Sequence, residues 1–276
     1  MSMSGAVLPS QRHFRRLLFL VLGLVLTFLI LPLFIILPLS FTDSRILTFP
    51  PTGWSDQWYV TFFTDDAWLV PLKNSLIVGG FTTVIATVLG TLAALGLVRA
   101  EFRGKALIMA LLISPMVVPI VITAVGLFFF YAWLGVVGTY FSLILGHTVL
   151  AMPFVVITVS AALQGFDRTL LRAGSSLGGR PFFVFFHVTL PLILPAVVAG
   201  AIFAFATSFD EVVVALFLAT PEQRTLPRQI FAGIRENISP TIAAAATVLI
   251  LVSIVMMGTM EYLRRRSERL RGVRPS

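Results

Sequence analysis

The sequence predicts an all-α fold, a polytopic bundle of six transmembrane helices. Hydrophobic residues make up 58% of the chain and charged residues 12%, whereas soluble domains average ~45–50% and ~25%. The mean hydropathy, +0.98, is correspondingly high. The apolar residues also form continuous runs of about 20 or more, the length that a helix needs to cross a hydrocarbon core of roughly 30 Å. Such runs exclude a β-barrel, because barrel strands alternate apolar and polar residues.

Charged and turn-forming residues divide the apolar sequence into six predicted spans. These are 17–39, 74–98, 106–130, 141–163, 192–218 and 242–262. The first follows a group of arginines, as the core of a secretion signal would, but it exceeds the 7–15 apolar residues of a signal peptide and has no small-residue cleavage site behind it. We expect it to be an uncleaved span. In the third, Pro115, Pro119 and Gly126 either bend a helix that lines a pathway or serve ordinary kinked packing.

Basic residues are distributed unequally between the two predicted sides of the membrane. With the N-terminus inside, most of them fall in cytoplasmic segments: Arg12, Arg15, Arg16, Arg99, Arg103, Lys105, Arg168, Arg172, Arg180 and the arginines of the tail 263–276. The other side has Arg45, Lys73, Arg224, Arg228 and Arg235. By the positive-inside rule, both termini should be cytoplasmic. The net charge of +8 then reflects orientation and contact with lipid headgroups, and no nucleic-acid partner is expected because no aromatic residues accompany the dispersed arginines in a groove.

The sequence contains no pattern typical of an enzyme or a metal site. Cysteine is absent and the three histidines are scattered, so neither disulfides nor a metal centre is expected. We find no nucleophile and base pair and no paired carboxylates. The phosphate-binding pattern G-x-x-x-x-G-K-[ST] is also missing; Gly104 and Lys105 come closest, without the first glycine or the hydroxyl residue. No cofactor is therefore expected in this chain.

The longest outer loop, 40–73, contains three tryptophans, Trp54, Trp58 and Trp68. Tryptophans at a membrane boundary usually lie at the level of the lipid headgroups. The loop is therefore either an interfacial anchor or a docking surface for a partner outside the cell membrane.

A polar interruption, 164–191, separates the fourth and fifth spans. Asp167 is a suitable N-cap for a short helix, and Leu170, Leu171, Gly174 and Leu177 recur at helical spacing behind it. Gly178 and Gly179 should end that helix in a left-handed cap. Pro181 then begins a second, strongly apolar helix, since a proline at the first position loses no hydrogen bond. The segment predicts a helix-turn-helix elbow at the cytoplasmic face, which either binds a partner or rests on lipid.

Four residues of the elbow match a family signature. Gly178, Val188, Leu190 and Pro191 lie at the spacing of the loop written EAA, three residues, Gly, nine residues, Ile, one residue, Leu-Pro. This loop resembles that of ABC importer permeases, in which the elbow docks into a cleft on a separate ATPase subunit. The resemblance implies that the coupling contacts of this chain are Asp167, Leu170, Leu171, Arg172, Ala173, Gly174, Leu177, Gly178, Leu190 and Pro191.

One position departs from the signature. Where the family has EAA this chain has Arg172, Ala173 and Gly174, so the small residues are kept in kind while the acid is replaced by a base. In the family that acid faces a basic residue of the ATPase. We expect an acidic residue, or no charged partner, opposite Arg172.

Further segments resemble one branch of the family, the permeases of spermidine and putrescine importers. Asn74, Ser75 and Leu76 look like the NSL that begins the core of these proteins, and 208–212 looks like their SFDE/D-V run. Residues 225–227 and 238–240 are similar to the last outer loop of the branch.

Asp210 and Glu211 lie in the outer part of the predicted fifth span. Acids within a span are costly to bury and usually face a cavity or a partner. They would attract a cationic solute, with Thr207 and Ser208 adding hydrogen bonds. The alternative is that both acids reach the outer interface or pair with Arg224 or Arg228.

Together these features predict the type I permease subunit of a bacterial ABC importer. Its organisation would be residues 1–73 (N-terminus, first span and outer loop), a core permease domain at 74–262 and a basic tail at 263–276. The resemblance implies location in the inner membrane and several partners: membrane lipid, a second permease, a dimer of ATPase subunits that bind ATP and Mg, and a periplasmic binding protein. The expected solute is a small cation of the polyamine kind, or else another small solute such as an amino acid derivative, opine, metal or anion.

Two other classes of function fit the composition. An ion-driven secondary carrier or channel would often show internal repeats and interrupted helices with ions at the midplane, and we see no convincing repeat. A membrane scaffold would tolerate changes in the elbow and at Asp210 without a transport defect.

Overall fold

The computed structural model describes residues 9–165, 169–236 and 238–270. All regular elements within these ranges are helical, and an isolated bridge joins Thr42 and Trp54. The α-helices are α1 Pro9–Leu39, α2 Gln57–Thr64, α3 Asp66–Arg99, α4 Lys105–Ile113, α5 Ile120–Trp133, α6 Tyr140–Gln164, α7 Thr169–Ser176, α8 Pro181–Val184, α9 Leu190–Phe209, α10 Val213–Leu218, α11 Leu226–Glu236 and α12 Pro240–Leu270. A short 3-10 turn, Ser114–Met116, follows α4, and a π turn, Phe185–Thr189, joins α8 to α9.

Five stretches of helix in the described residues are long and apolar enough to cross a membrane. They lie in α1, α3, α6, the continuous helix Pro181–Phe209 and α12. A bent pair formed by α4 and α5 makes a sixth when it is counted as one span. The prediction of an all-α membrane bundle is thus confirmed, and the predicted number of spans, six, is reached when the bent pair is one span.

The third span is broken rather than straight. Its halves, Lys105–Met116 and Ile120–Trp133, meet at 103°. Pro119 precedes the second half with an extended backbone (φ −53°, ψ 128°). A proline donates no hydrogen bond and disfavours helix in the residue before it, so a regular helix does not continue through Val118 and Pro119. Prolines were expected to bend this helix, and they break it.

The fifth span ends earlier than predicted. The sequence indicated one helix to residue 218, but α9 stops at Phe209 and α10 begins at Val213. The predicted extension of this helix to residue 218 was wrong because the helical hydrogen bonds are interrupted at Asp210 and Glu211. The Glu211 carboxylate accepts a hydrogen bond from the Val214 N–H at 2.6 Å, which caps α10 as a separate helix.

Contacts divide the chain into two compact units. The first comprises Met1–Phe62 with Asn237–Val248, and the second Phe63–Glu236 with Leu249–Ser276. In the first, the loop after α1 is held by side chains: the Trp58 indole donates to the Thr42 carbonyl at 2.7 Å, and Ser40 and Tyr59 share a hydrogen bond of 2.7 Å. Trp54 remains 72% exposed.

The core of the second unit is the packing of α3, α6 and α9 around Val155. This α6 residue is fully buried, and a Cβ added at Gly90 of α3 would lie 2.8 Å from its Cβ. A Cβ at Gly200 of α9 would lie 3.1 Å from its Cα. Small residues that allow backbones to approach are typical of membrane helix interfaces, where packing replaces the hydrophobic effect. The three helices therefore form a close-packed frame.

Candidate functional site

The elbow forms as a short helix, a glycine turn and a second helix, α8, which continues through the π turn into α9. α7 ends in a Schellman motif: the Gly179 N–H donates to the Gly174 carbonyl at 3.1 Å and the Gly178 N–H to the Ser175 carbonyl at 3.0 Å. Gly178 has φ 81°, a left-handed conformation that favours glycine. A Cβ at Gly179 would lie 2.7 Å from the Gly174 oxygen. The turn that the glycines predicted is therefore present.

The two helices of the elbow pack through small residues. Val184 of α8 is 6% exposed, and a Cβ added at Gly174 would lie 3.3 Å from its Cγ2 atom. Gly174 therefore belongs to the contact within the elbow rather than to its outer surface. Large apolar side chains point the other way: Leu177 is 89% exposed and Phe182 is 80% exposed.

The predicted coupling residues are distributed over both faces of the elbow. Those exposed are Leu170, Arg172, Ala173, Leu177, Gly178 and Pro191; those half-buried are Leu171, Gly174 and Leu190. Asp167 lies outside the described residues. Within the described part of the chain, the Arg172 guanidinium has no ion-pair partner. Leu170 and Leu177 of the exposed set, together with Phe182, present large apolar side chains at the surface of the elbow.

A π turn connects the elbow to the membrane helix α9. Residues Phe185–Thr189 make this turn just before Pro191, whose missing N–H and bulky ring disturb a regular helix. The Thr189 side chain is fully buried, and its hydroxyl accepts a hydrogen bond from Arg99 Nη2 at 3.2 Å. Arg99 is the last residue of α3. A polar contact therefore joins the elbow to the end of a second spanning helix.

A cavity of about 330 Å³ lies between α9 and α12. Asp210, which caps the end of α9, contributes the carboxylate. Its side chain forms no hydrogen bond or ion pair within the residues that the structure describes. The other lining residues are Ile202, Phe203, Ala206, Phe209, Leu249, Ser253, Met256, Met257 and Met260.

Only one of the four predicted pathway residues lines this cavity. Ser208 is 5% exposed, and its hydroxyl shares a 2.8 Å hydrogen bond with His147 Nδ1 of α6. Glu211 is 7% exposed and caps α10. Thr207 is half-buried and does not contribute to the lining. Asp210 alone presents an acid to the space between the helices.

The arginines that were the alternative partners of the two acids are engaged elsewhere. Arg224 Nη1 donates to Gln229 Oε1 at 2.7 Å. Arg228 Nη1 donates to the carbonyls of Ala219 and Thr220 at 2.9 and 3.1 Å. Burial, followed by the charge of Arg224, lowers the pKa of Arg228. No pairing with Asp210 or Glu211 is found in the described residues.

Arg224 also lies beside a network that holds the outer loop between α10 and α11. The Asn74 amide donates to the carbonyls of Glu222 and Arg224 at 2.9 and 3.0 Å, and Tyr140 donates to Asn74 Oδ1 at 2.6 Å. The adjacent Ser75 hydroxyl accepts the Leu226 N–H at 2.8 Å. We call these contacts the outer clamp. They bring together two of the segments that resemble the polyamine branch.

Several residues of the site escaped sequence reasoning. His147 is fully buried, and its Nε2 has no hydrogen-bond partner in the described residues. A histidine within a span was itself a signal, by the rule that singled out Asp210. The methionines of α12 carried no such signal, since they look like ordinary apolar residues.

Comparison with known proteins agrees with the architecture. Residues 86–269 match the family described as binding-protein-dependent transport system inner membrane component. The chain is 33% identical to the spermidine/putrescine transport system permease protein PotC of Escherichia coli (strain K12) over 241 residues, covering 87% of this chain and 91% of that protein. It is 35% identical to the putrescine transport system permease protein PotI of the same strain over 272 residues, covering 96% and 95%.

The fold also matches a solved structure. A crystal structure of a bacterial ABC transporter involved in the import of the acidic polysaccharide alginate aligns with a TM-score of 0.74 at 15% identity, covering 94% of this chain and 99% of that chain. At this identity the likeness concerns the fold. With the family match over two thirds of the sequence and relatives above 30% identity over most of both chains, the conclusion follows that this protein belongs to the binding-protein-dependent transport system inner membrane components and is a multi-pass transport subunit, not an enzyme.

Proposed function

We propose that the chain is a permease subunit of an ATP-driven ABC importer that takes up a polyamine of the spermidine or putrescine kind. The observation that carries this proposal is the 33% and 35% identity to two polyamine permeases over most of each chain. Asp210 supports it, because a lone carboxylate in an apolar cavity favours a cation. An anionic or sugar solute would find neither a cation nor several hydrogen-bonding groups there.

The elbow is the proposed contact with the ATPase. Its exposed apolar side chains, Leu177 and Phe182 above all, suit a hydrophobic cleft. Arg172 would face an acidic residue or no charged residue. ATP and Mg would be bound by the ATPase subunits, and this chain would bind no cofactor of its own.

Motion of the elbow would reach the membrane through two connections. The π turn leads directly into α9, which carries Asp210 at its far end. The hydrogen bond from Arg99 to Thr189 adds α3. Rigid movement of these helices would open the pathway to one side and then to the other.

The family description supports a binding protein as a further partner, and a second permease is part of the importer that we propose. A periplasmic binding protein would deliver the solute, and a second permease would complete the pathway. The excess of arginine and lysine in alternate loops supports cytoplasmic termini. We propose 74–262 as the core permease domain, with 1–73 and the tail 263–276 as additions to it.

Uptake in cells tests this proposal. A strain that lacks the chain, and the same strain carrying it on a plasmid, would be given radiolabelled spermidine or putrescine with unlabelled competitors. We expect the plasmid to restore uptake, and polyamines to compete where amino acids, sugars and acidic oligosaccharides do not. Uptake that is unchanged by the chain, or competition only by a non-polyamine, would overturn the assignment.

A further inference from the structure

The cavity between α9 and α12 has a composition that a general cation site does not require. Of its ten lining residues, Asp210 is the ionisable one and Ser253 carries the one hydroxyl. Three of the others are methionines, Met256, Met257 and Met260. The volume of about 330 Å³ lies within the range of small-molecule sites, roughly 300–1,000 Å³.

The residues that line the cavity are spread along both helices. Its residues on α9 extend from Ile202 to Asp210, and those on α12 from Leu249 to Met260. At a rise of about 1.5 Å per residue, these stretches are roughly 12 and 16 Å long. The α12 residues recur every three or four positions, which places them along one side of that helix. An extended solute matches this spread of lining residues better than a compact one.

The lining chemistry selects one kind of solute. Methionine side chains are flexible and polarisable and adapt to irregular apolar surfaces, so Met256, Met257 and Met260 suit a methylene chain. Asp210 suits an ammonium group at the end of that chain. A carboxylate that faced lipid would be costly, so this side of α9 should face a watery pathway instead.

We infer that this cavity is an alkylammonium site on the translocation pathway, in which Asp210 binds an ammonium group of the polyamine and Met256, Met257 and Met260 contact its methylenes. The inference rests on the proposed function and adds to it a methionine wall on α12. It also predicts how the site distinguishes solutes: contacts with the methionines depend on the length of the methylene chain, and binding to the aspartate depends on the positive charge.

A labelling experiment tests occupancy independently of transport. The chain contains no cysteine, so Met257→Cys introduces a single thiol into this chain, at a side chain that is 71% exposed. In the complete transporter, modification of this thiol by an ethylammonium methanethiosulfonate should slow at least threefold when spermidine is added. Leu251→Cys, on α12 outside the lining and 52% exposed, should react at a rate that spermidine does not change.

Transport kinetics test the roles of the two kinds of residue. In the reconstituted transporter, Asp210→Asn should raise KM for every polyamine by about tenfold or more, as expected for loss of a charged hydrogen bond. Met256→Ala with Met260→Ala should raise KM more for spermidine than for putrescine, while the corresponding leucine variants keep the wild-type values. Leu251→Ala is the control on the same helix.

The outcomes separate this inference from the proposed function. Polyamine uptake by the wild type, with no protection of the Met257→Cys thiol and unchanged KM in the methionine variants, would overturn the cavity assignment and leave the proposed function standing. Absence of polyamine uptake by the wild-type transporter would overturn the proposed function itself. If Asp210→Asn fails to assemble, the methionine variants and the labelling still decide the question.

Discussion

Ser75 accepts a hydrogen bond from the backbone N–H of Leu226, at 2.8 Å and across 151 residues of sequence. With the bonds that Asn74 makes to the Glu222 and Arg224 carbonyls, it fastens the outer loop to α3. Each half of this outer clamp was noticed in the sequence only as a resemblance to polyamine permeases. The structure gives a physical reason why the two segments occur together. Side chains of Asn74 and Ser75 form hydrogen bonds with backbone groups of the outer loop and of Leu226.

The outer clamp should be required for stability and transport. Asn74 is 2% exposed, and Asn74→Ala removes its hydrogen bonds to the Glu222 and Arg224 carbonyls and to the Tyr140 hydroxyl. Each such bond contributes about 0.5–1.5 kcal/mol. We expect a lower Tm in detergent and reduced uptake. Leu76→Ala is the control, since Leu76 is a 51% exposed neighbour outside the network. Equal Tm and uptake in the two variants would contradict the role assigned to the outer clamp.

The left-handed glycine of the elbow should matter for assembly. Gly178→Ala adds a Cβ at φ 81° with open space around it, so the change tests backbone strain of about 1 kcal/mol. We expect weaker recovery of the ATPase in pull-downs from native membranes. Gly104→Ala is a matched control, because Gly104 also has positive φ (92°) and open space but lies before α4. An equal loss in both variants would show that the effect is not specific to the elbow.

The exposed apolar surface of the elbow should carry the coupling contact. Leu177→Asp and Phe182→Asp place charges on the two most exposed of the elbow's large side chains. Burying an unpaired charge at an interface is strongly unfavourable, so the ATPase should be lost from the purified complex while the permease stays folded. Ser176→Asp puts the same charge on the exposed end of α7, and this variant should retain the ATPase. Retention of the ATPase by both apolar-site variants would argue for an elbow that rests on lipid.

The Arg99 to Thr189 hydrogen bond should affect transmission rather than assembly. Thr189→Val keeps the shape of the buried side chain but removes the acceptor of the 3.2 Å bond. We expect normal recovery of the complex and a lower ratio of solute transported to ATP hydrolysed. Thr189→Ser retains the hydroxyl and should restore the ratio. A wild-type ratio in the valine variant would exclude this bond from coupling.

The fold class could be predicted from the sequence because the length of a continuous apolar run determines whether a helix can span a membrane. The sequence also predicted the elbow turn, since glycine readily adopts the left-handed conformation in which many helices end, and Gly178 has φ 81°. It was wrong about the end of the fifth span, because residues 213–218 are as apolar as a span and only the Glu211 cap separates them. The prolines of the third span indicated a bend but not its size, 103°.

Contacts between distant segments were beyond sequence reasoning. The sequence around Ser208 does not indicate that its hydroxyl forms a hydrogen bond with His147. The sequence around Met256 and Met260 does not indicate that they share a cavity with Asp210. Such pairs depend on how α6, α9 and α12 pack. Asp210 could be singled out because a charge in a membrane needs an explanation wherever it lies.

The most direct test of the account is spermidine uptake into proteoliposomes that hold the complete transporter, with the binding protein and spermidine outside and ATP inside. We predict uptake that requires ATP, is abolished when the chain or the ATPase is omitted, and is unaffected by collapse of ion gradients. Uptake by this chain alone, driven by an ion gradient without ATP, would contradict the account and identify a secondary carrier.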